Sequence, residues 1–381
     1  MKFSYANPTQ IQFGQGQIAS IKDLIPKDKK VLMIYGGGSI KNNGVYAQVT
    51  SALNEHNWLE FSGVEANPTV ETLDKAVAIV KEQRIDFILA VGGGSVADGS
   101  KYVAAAAKYA GNGWDILTGK HHVTEAVALG VILTIPATGS ESNGAAVITK
   151  AATHDKLAFI SPLVFPKFAV LDPDVMKTLP QRQLANGIVD AWVHTCEQYL
   201  TFPSDAMVQE GYAEALLRNL RVLAANFSQQ DDAWRANLMW TANQALNGLI
   251  GAGVAQDWAT HMIGHELTAL YGVDHARSLA IVQPSLMRNQ IRYKKAKLEQ
   301  MGRNVFNLEQ SDDLAELTIQ AMEKLYHSVD VATQLTEHGG DKSATVDAII
   351  DKLKQHGMLK IGENQAITLE SSRAILESAV A

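Results

Sequence analysis

The chain has a single cysteine, Cys196, among 381 residues. One thiol excludes an internal disulfide and any zinc site built from several thiolates. Basic runs are missing as well: the formal net charge is −7 and the charges are spread evenly. Phosphate backbones call for a clustered positive face, so nucleic acid is not an expected partner. Long hydrophobic runs are also lacking. The most apolar stretch, AVALGVILTIPATG, breaks at Pro136 and falls short of the roughly 20 residues that span a bilayer. The N-terminal MKFSYANPTQ lacks the apolar core of a signal peptide. A soluble cytoplasmic protein with no membrane partner is the expectation.

What the chain does have is apolar material for sizeable cores, at 46% hydrophobic residues. Its length exceeds that at which single cores stop growing, so two domains are expected. In the first half, strand-like KKVLMIY (29–35), IDFILAV (85–91), GVILTIP (130–136) and KFAVLD (167–172) alternate with helical segments such as VETLDKAVAIVKEQ (70–83). Short, fully apolar strands separated by helices indicate a buried parallel sheet. From residue 183 onward almost every segment has helical period and no convincing strand appears. The pattern predicts an α/β domain over 1–180 and an all-α domain over 181–381.

Two glycine triplets follow strands, in YGGGSIKNNG (35–44) and VGGGSVADGS (91–100). Glycine at a strand-to-helix turn admits a phosphate to the backbone, and the helix N-terminus favours its charge. The second loop fits G-x-G-x-x-A through Gly92, Gly94 and Ala97. Either loop alone is explained as a tight turn; two at successive strand ends favour a dinucleotide. Around Gly37, Gly38, Ser39 and Lys41 there is no carboxylate for a ribose 2′-hydroxyl, and a hydroxyl with a cation suits a 2′-phosphate, hence NADP(H). The alternative for Lys41 is a solvated helix residue. A third loop, TIPATGSESN (134–143), offers Thr134, Thr138 and Ser140 to a pyrophosphate or nicotinamide, although a helix start with Glu141 in its first turn reads equally well. Asp98 is likewise a cofactor contact or a first-turn acid.

In the helical half, Asp190 and His194 stand four residues apart, and His261 and His265 repeat the spacing. Residues i and i+4 share a helix face, so each pair can grip one ion. His275 follows Gly272, which is placed to end the helix and turn the chain back. One carboxylate with imidazoles suits Zn2+ or Fe2+ with a position left open for catalysis. A zincin reading fails, because its glutamate must lie between the histidines, whereas Glu266 follows the second. Asp257, one turn before His261, is either a helix-start acid or a carboxylate that orients the His261 ring. Cys196 reads as buried packing. Trp192, Tyr199, Trp258 and Leu267 are candidate pocket lining or core.

Taken in order, NPTQIQFGQG (7–16), NPTVETL (67–73), GGGSVADGSK (92–101), TIPATGSESN (134–143), AVLDPDVMKTLPQRQLANGIVDAWVHTCEQY (169–199) and the histidine stretch 257–276 resemble the iron-containing (group III) alcohol dehydrogenase family. Within it the chain is similar to the NADP-dependent broad-range aldehyde reductase and butanol dehydrogenase branch. The resemblance implies a dehydroquinate synthase-like fold: a nucleotide-binding α/β domain, an all-α domain and an active site in the cleft between them. It implies one divalent metal, Fe2+ or Zn2+, on Asp190, His194, His261 and His275, with His265 beside the metal and nicotinamide but not a ligand. A proton shuttle is the expected role of His265, with packing or a hydrogen bond as the alternative. It also implies NADP(H) contacts from Gly37, Gly38, Ser39, Asn67, Gly93, Gly94, Ser95, Asp98, Thr134, Thr138 and Lys156, and a homodimer. Many members carry Pro-His-Gly around the last ligand. This chain has Asp274-His275-Ala276, so the turn is expected to differ.

The implied chemistry is hydride transfer between nicotinamide and a small aldehyde or primary alcohol whose oxygen the metal polarises. A dehydroquinate synthase-like lyase would need several basic residues for its anionic substrate. The ligand-bearing segments offer few, with Arg182 before Asp190 and Arg277 after His275. A metal-dependent hydrolase would turn over without nicotinamide, and a non-catalytic nucleotide-binding protein leaves the ligand set unexplained.

Overall fold

The computed structural model describes residues 2–335 and 342–380. Two compact units emerge, one of residues 6–180 with 231–239, the other of residues 1–5, 181–230 and 240–381. The first is built on a six-stranded sheet in the order β1-β8-β5-β4-β2-β3, with β1 Gln10–Phe13, β2 Lys30–Tyr35, β3 Asn57–Phe61, β4 Phe87–Gly92, β5 Ala128–Leu133 and β8 Phe168–Leu171. All five pairings are parallel. The central strands β4 and β8 are buried at every residue, and β2 and β5 at all but their first, as strands covered on both faces must be.

The four apolar runs read from the sequence are these four inner strands, and the Val70–Gln83 helix starts and stops where its periodicity does. The edge strands were not legible. β1 and β3 have no fully buried residue, with mixed polar and apolar residues and no apolar signature. A separate antiparallel hairpin, β6 Ala145–Lys150 with β7 Asp155–Ile160, was also missed.

From β2 the chain runs outward to β3, then returns to place β4 on the other side of β2. The strand order therefore reverses between β2 and β4. Such a switch point leaves a crevice at the carboxyl ends of the strands, where open parallel sheets hold ligands. Both glycine triplets follow the strands that flank it.

The second unit is helical. Gln181–Tyr199 is its central helix, buried at every position from Leu184 to Tyr199. The Ala259–Tyr271 and His275–Asn289 helices form a tight pair. Gly272, at φ +65°, caps the first of them in a left-handed conformation that glycine adopts without a Cβ penalty. A Cβ at Gly264 would lie 2.9 Å from Leu279 Cδ2, so the two helices approach closely there. Against the expectation of no strand, Lys360–Ile361 and Ile367–Thr368 make a short antiparallel ladder, two residues each and too brief to carry a sequence pattern.

Candidate functional site

In the helical unit, Asp190 and His194 project from one face of the central helix, both almost fully buried. His261 comes from the first turn of the Ala259–Tyr271 helix and His275 opens the next helix. One side-chain donor atom from each of the four lies within 4.8 Å of the others. Asp190 Oδ1 is 3.6 Å from His194 Nε2 and 3.5 Å from His275 Nε2. Bonds of about 2.1 Å at tetrahedral angles separate donors by about 3.4 Å, so the spacing and chemistry of this set fit a divalent zinc or ferrous ion. The ring of His265 lies 5.9 Å from that of His261 and 5.3 Å from that of His275, beside the cluster.

Glu197, which sequence reasoning passed over, holds the set in place. Its Oε2 meets His261 Nδ1, which leaves Nε2 for a ligand bond, and its Oε1 accepts the Thr260 N–H at 2.7 Å. Carboxylates in this position fix the tautomer and orientation of a ligating imidazole. The signal was present: Asp190, His194 and Glu197 fall at i, i+4 and i+7 of one helix face. Asp257 serves mainly the helix start, accepting the Ala259 N–H at 3.1 Å and pairing with buried Lys294 at 2.6 Å.

Asp274 accepts from Arg182 Nε at 2.6 Å and Asn186 Nδ2 at 2.9 Å. Arg277 donates from Nε to Asn186 Oδ1 at 3.2 Å. The Asp-His-Ala turn is thus tied to the central helix through a carboxylate. Of the four candidate lining residues, Trp192, Tyr199 and Leu267 are core. Trp258 instead lies beside the four-residue cluster, its ring centroid 5.3 Å from His261's, on a backbone with φ +63°. Cys196 is fully buried.

In the sheet unit, β5, β4 and β2 are neighbours, so the loops after them stand side by side at their carboxyl ends. Gly37, Gly38, Ser39 and Lys41 follow β2. Gly93, Gly94 and Ser95 follow β4, and Thr134, Thr138 and Ser140 follow β5. The second and third loops touch: a Cβ on Gly94 would lie 2.4 Å from Thr138 Oγ1. Asn67 and Lys156, distant in sequence, meet through a hydrogen bond from Lys156 Nζ to Asn67 Oδ1 of 3.0 Å. The β6–β7 hairpin carries Lys156 there, held by the Thr149 N–H on Pro68 O at 2.9 Å.

Several polar side chains in this group face protein groups. Ser95 Oγ donates to Ala66 O. Ser140 Oγ donates to Asp98 Oδ1 at 2.5 Å, and Asp98 Oδ2 accepts the Val147 N–H at 2.9 Å. Lys41 Nζ lies 3.9 Å from Glu60 Oε1 and over the rings of Tyr35 and Tyr46, at 5.3 and 4.9 Å. Tyr46 in turn donates to Glu60 Oε2 at 2.8 Å. Glu60 sits near the end of β3, a strand with no readable pattern, so this carboxylate beside the first loop was missed.

A parallel sheet with ligand-type loops at its switch point and a helical unit with a one-carboxylate, three-histidine set are the two parts of a metal-dependent dehydrogenase. Comparison with known proteins agrees. Residues 8–173 match the model for iron-containing alcohol dehydrogenase, and residues 184–380 match that for the C-terminal part of the Fe-containing alcohol dehydrogenase family. The chain belongs to the iron-containing alcohol dehydrogenase family. It is 50% identical to the NADPH-dependent aldehyde reductase YqhD of Escherichia coli over 99% of both chains. Its fold superposes on a crystal structure of that protein with a TM-score of 0.97, covering 99% of this chain and 98% of the other. A probable NADH-dependent butanol dehydrogenase of Bacillus subtilis is 39% identical over 99% of both chains. The structure of NADH-dependent butanol dehydrogenase A of Thermotoga maritima, 36% identical, gives a TM-score of 0.95 over 100% of this chain and 99% of that one.

Proposed function

We propose that the protein is a metal-dependent, NADP(H)-linked aldehyde reductase that interconverts small aldehydes and primary alcohols. The observation that carries this is the convergence of Asp190, His194, His261 and His275 donor atoms within 4.8 Å, in a chain half identical to an NADPH-dependent aldehyde reductase. When bound, the metal supplies Lewis-acid polarisation of the substrate oxygen and the nicotinamide supplies or accepts the hydride.

The chain's own residues do the rest. Glu197 keeps the His261 imidazole in one tautomer with Nε2 available. Asp190 brings a negative charge among neutral imidazoles, and burial strengthens its hold on a cation. His265, beside the ligands but outside the four, moves the proton between substrate oxygen and solvent. The Gly93–Gly94 turn and the N-terminus of the Gly94–Ala106 helix receive the pyrophosphate. Thr134 and Thr138 line the adjoining edge, the Asn67–Lys156 pair borders the site, and Gly37, Gly38 and Ser39 approach the adenosine. Lys41 takes the 2′-phosphate. A small, weakly charged substrate fits the helical unit, because Arg182 and Arg277 are both engaged around Asp274 and Asn186. That arrangement counts against a lyase of anionic substrates. A homodimer belongs to the same proposal, and no helix among the described residues is long and apolar enough to cross a membrane.

The test is oxidation of NADPH with butanal, run beside NADH and beside chelated protein re-supplied with zinc or ferrous iron. NADPH-preferring turnover restored by metal is expected; no NADPH oxidation with any of a panel of small aldehydes, by protein that holds metal and nucleotide, would sink the proposal. Relatives differ in cofactor, so Lys41→Ala is the informative variant. Lys41 is half exposed and its phosphate contact is screened, so KM for NADPH should rise about 10-fold with KM for NADH unchanged. For the metal, Glu197→Gln keeps one acceptor where two donors must be met. Metal retention against a chelator should fall about 10-fold; undiminished retention would deny Glu197 its role.

A further inference from the structure

We propose that Lys101 is a positioning residue of the cofactor site: its ammonium locks the loop following β5 onto the glycine-turn helix, so that the two walls of the site are set before the dinucleotide arrives. This rests on the nucleotide reading of the three loops.

Lys101 is fully buried, yet all three of its donors are used. They go to Ser140 Oγ at 2.8 Å, Asn143 Oδ1 at 3.0 Å and Ala145 O at 2.7 Å. The Ser140 hydroxyl accepts from Lys101 and donates to Asp98, so one hydroxyl joins a cation and a carboxylate with its proton placed. The loop is cross-tied within itself, by Asn143 Nδ2 on Gly139 O at 3.0 Å and the Ala145 N–H on Asn143 Oδ1 at 3.0 Å. Gly94, Asp98 and Lys101 are spaced i, i+4 and i+7 and therefore share one helix face. Thr138 meets that face at its N-terminal end, Ser140 at its middle, and Asn143 and Ala145 at its far end.

A cation buried to this depth costs much to desolvate, and a methionine, one atom shorter, would fill most of the space more cheaply. What methionine lacks is the directional grip on three acceptors, two in the loop and one at the first residue of β6. A loop held in this way gives up little freedom when ligand binds, which is the source of affinity in a preorganised site. It also gives Asp98 and Ser140 a role as members of the clamp, with the cofactor touching the edges they hold. Burial lowers the Lys101 ammonium to about 8, while Asp98 on its own helix and Glu141 in the Ser140–Ser142 turn oppose the fall. The clamp is therefore charged at neutral pH and loses a proton, and with it a donor, as pH rises through about 8.

The experiment is an NADPH titration by cofactor fluorescence on wild-type, Lys101→Met and Asn143→Ala proteins, each also titrated with zinc against a chelator. Lys101→Met should bind NADPH about 10–100-fold more weakly, and Asn143→Ala several-fold more weakly, with zinc affinity unchanged because the four donors lie in the other unit. Wild-type affinity should weaken above pH about 8, and that inflection should be absent from Lys101→Met. A folded Lys101→Met protein with wild-type NADPH affinity would overturn the proposal. Should Lys101→Met fail to fold, Asn143→Ala retains both charges and reads the same clamp; undiminished affinity there overturns it equally. Wild-type protein that binds no NADPH would remove the nucleotide reading itself, and the clamp with it.

Discussion

His261→Ala should cost about 10³-fold or more in kcat/KM for aldehyde reduction, because several kcal/mol of charge stabilisation depart with the metal. The substitution removes one of four donors and also leaves the Glu197 carboxylate buried without the imidazole it faces. Metal content after dialysis should fall to a trace, and NADPH affinity should stay as in the wild type. His265→Ala is the companion. Outside the four donors, it should retain its metal and slow turnover by about 10²-fold, the scale of a lost proton-transfer group. The two variants therefore separate ligand from shuttle. Full activity in a metal-free His261→Ala protein would end the metal proposal, and metal loss from His265→Ala would move that residue into the ligand set.

Gly94→Ala should be a damaging single methyl group at the cofactor loops. Its Cβ would lie 2.4 Å from Thr138 Oγ1, 2.5 Å from Cγ2 and 2.9 Å from Cβ. Threonine is branched at Cβ and has no flexible end to swing away, so the loop itself must move. Thr138 Oγ1 also accepts the Ser140 N–H at 3.3 Å, which carries the displacement toward the Lys101 clamp. Overpacking of this kind costs about 1–3 kcal/mol, or a few degrees in Tm for a unit of this size. The larger effect should be on cofactor: NADPH affinity lower by about 10–100-fold, since both walls of the site shift. Zinc affinity should not change. A variant that melts early but binds NADPH normally would mean that the glycine serves packing alone.

Much of this molecule was legible one segment at a time. The inner strands β2, β4, β5 and β8 are buried on both faces, and burial on both faces writes an unbroken apolar run. Edge strands carry no such constraint, so β1 and β3 left no trace, and with β3 went Glu60. The candidate metal residues were legible as pairs because helical spacing is local: Asp190 and His194 share a face at i and i+4, as do His261 and His265, and Gly272 marks the turn before His275. That His265 stands outside the four came from the family resemblance. Glu197 lay on the same face and was overlooked for want of a named motif. Trp192, Tyr199 and Leu267 show the limit of composition, since an aromatic or leucine on a helix looks the same whether it lines a pocket or fills a core.

The sequence by itself determined the element types of the inner sheet and the helices, the glycine turns, and the residues able to bind a cation, because each is encoded in periodicity or spacing over a few turns of chain. Tertiary structure alone decided which of them meet. It placed the strand-order reversal between the two glycine turns and brought donors from three helices within 4.8 Å of one another. It also joined Asn67 to Lys156 across 89 residues and turned Lys101 inward onto a loop some 40 positions away. Such contacts depend on how elements pack, and packing is a property of surfaces that no short stretch of chain contains.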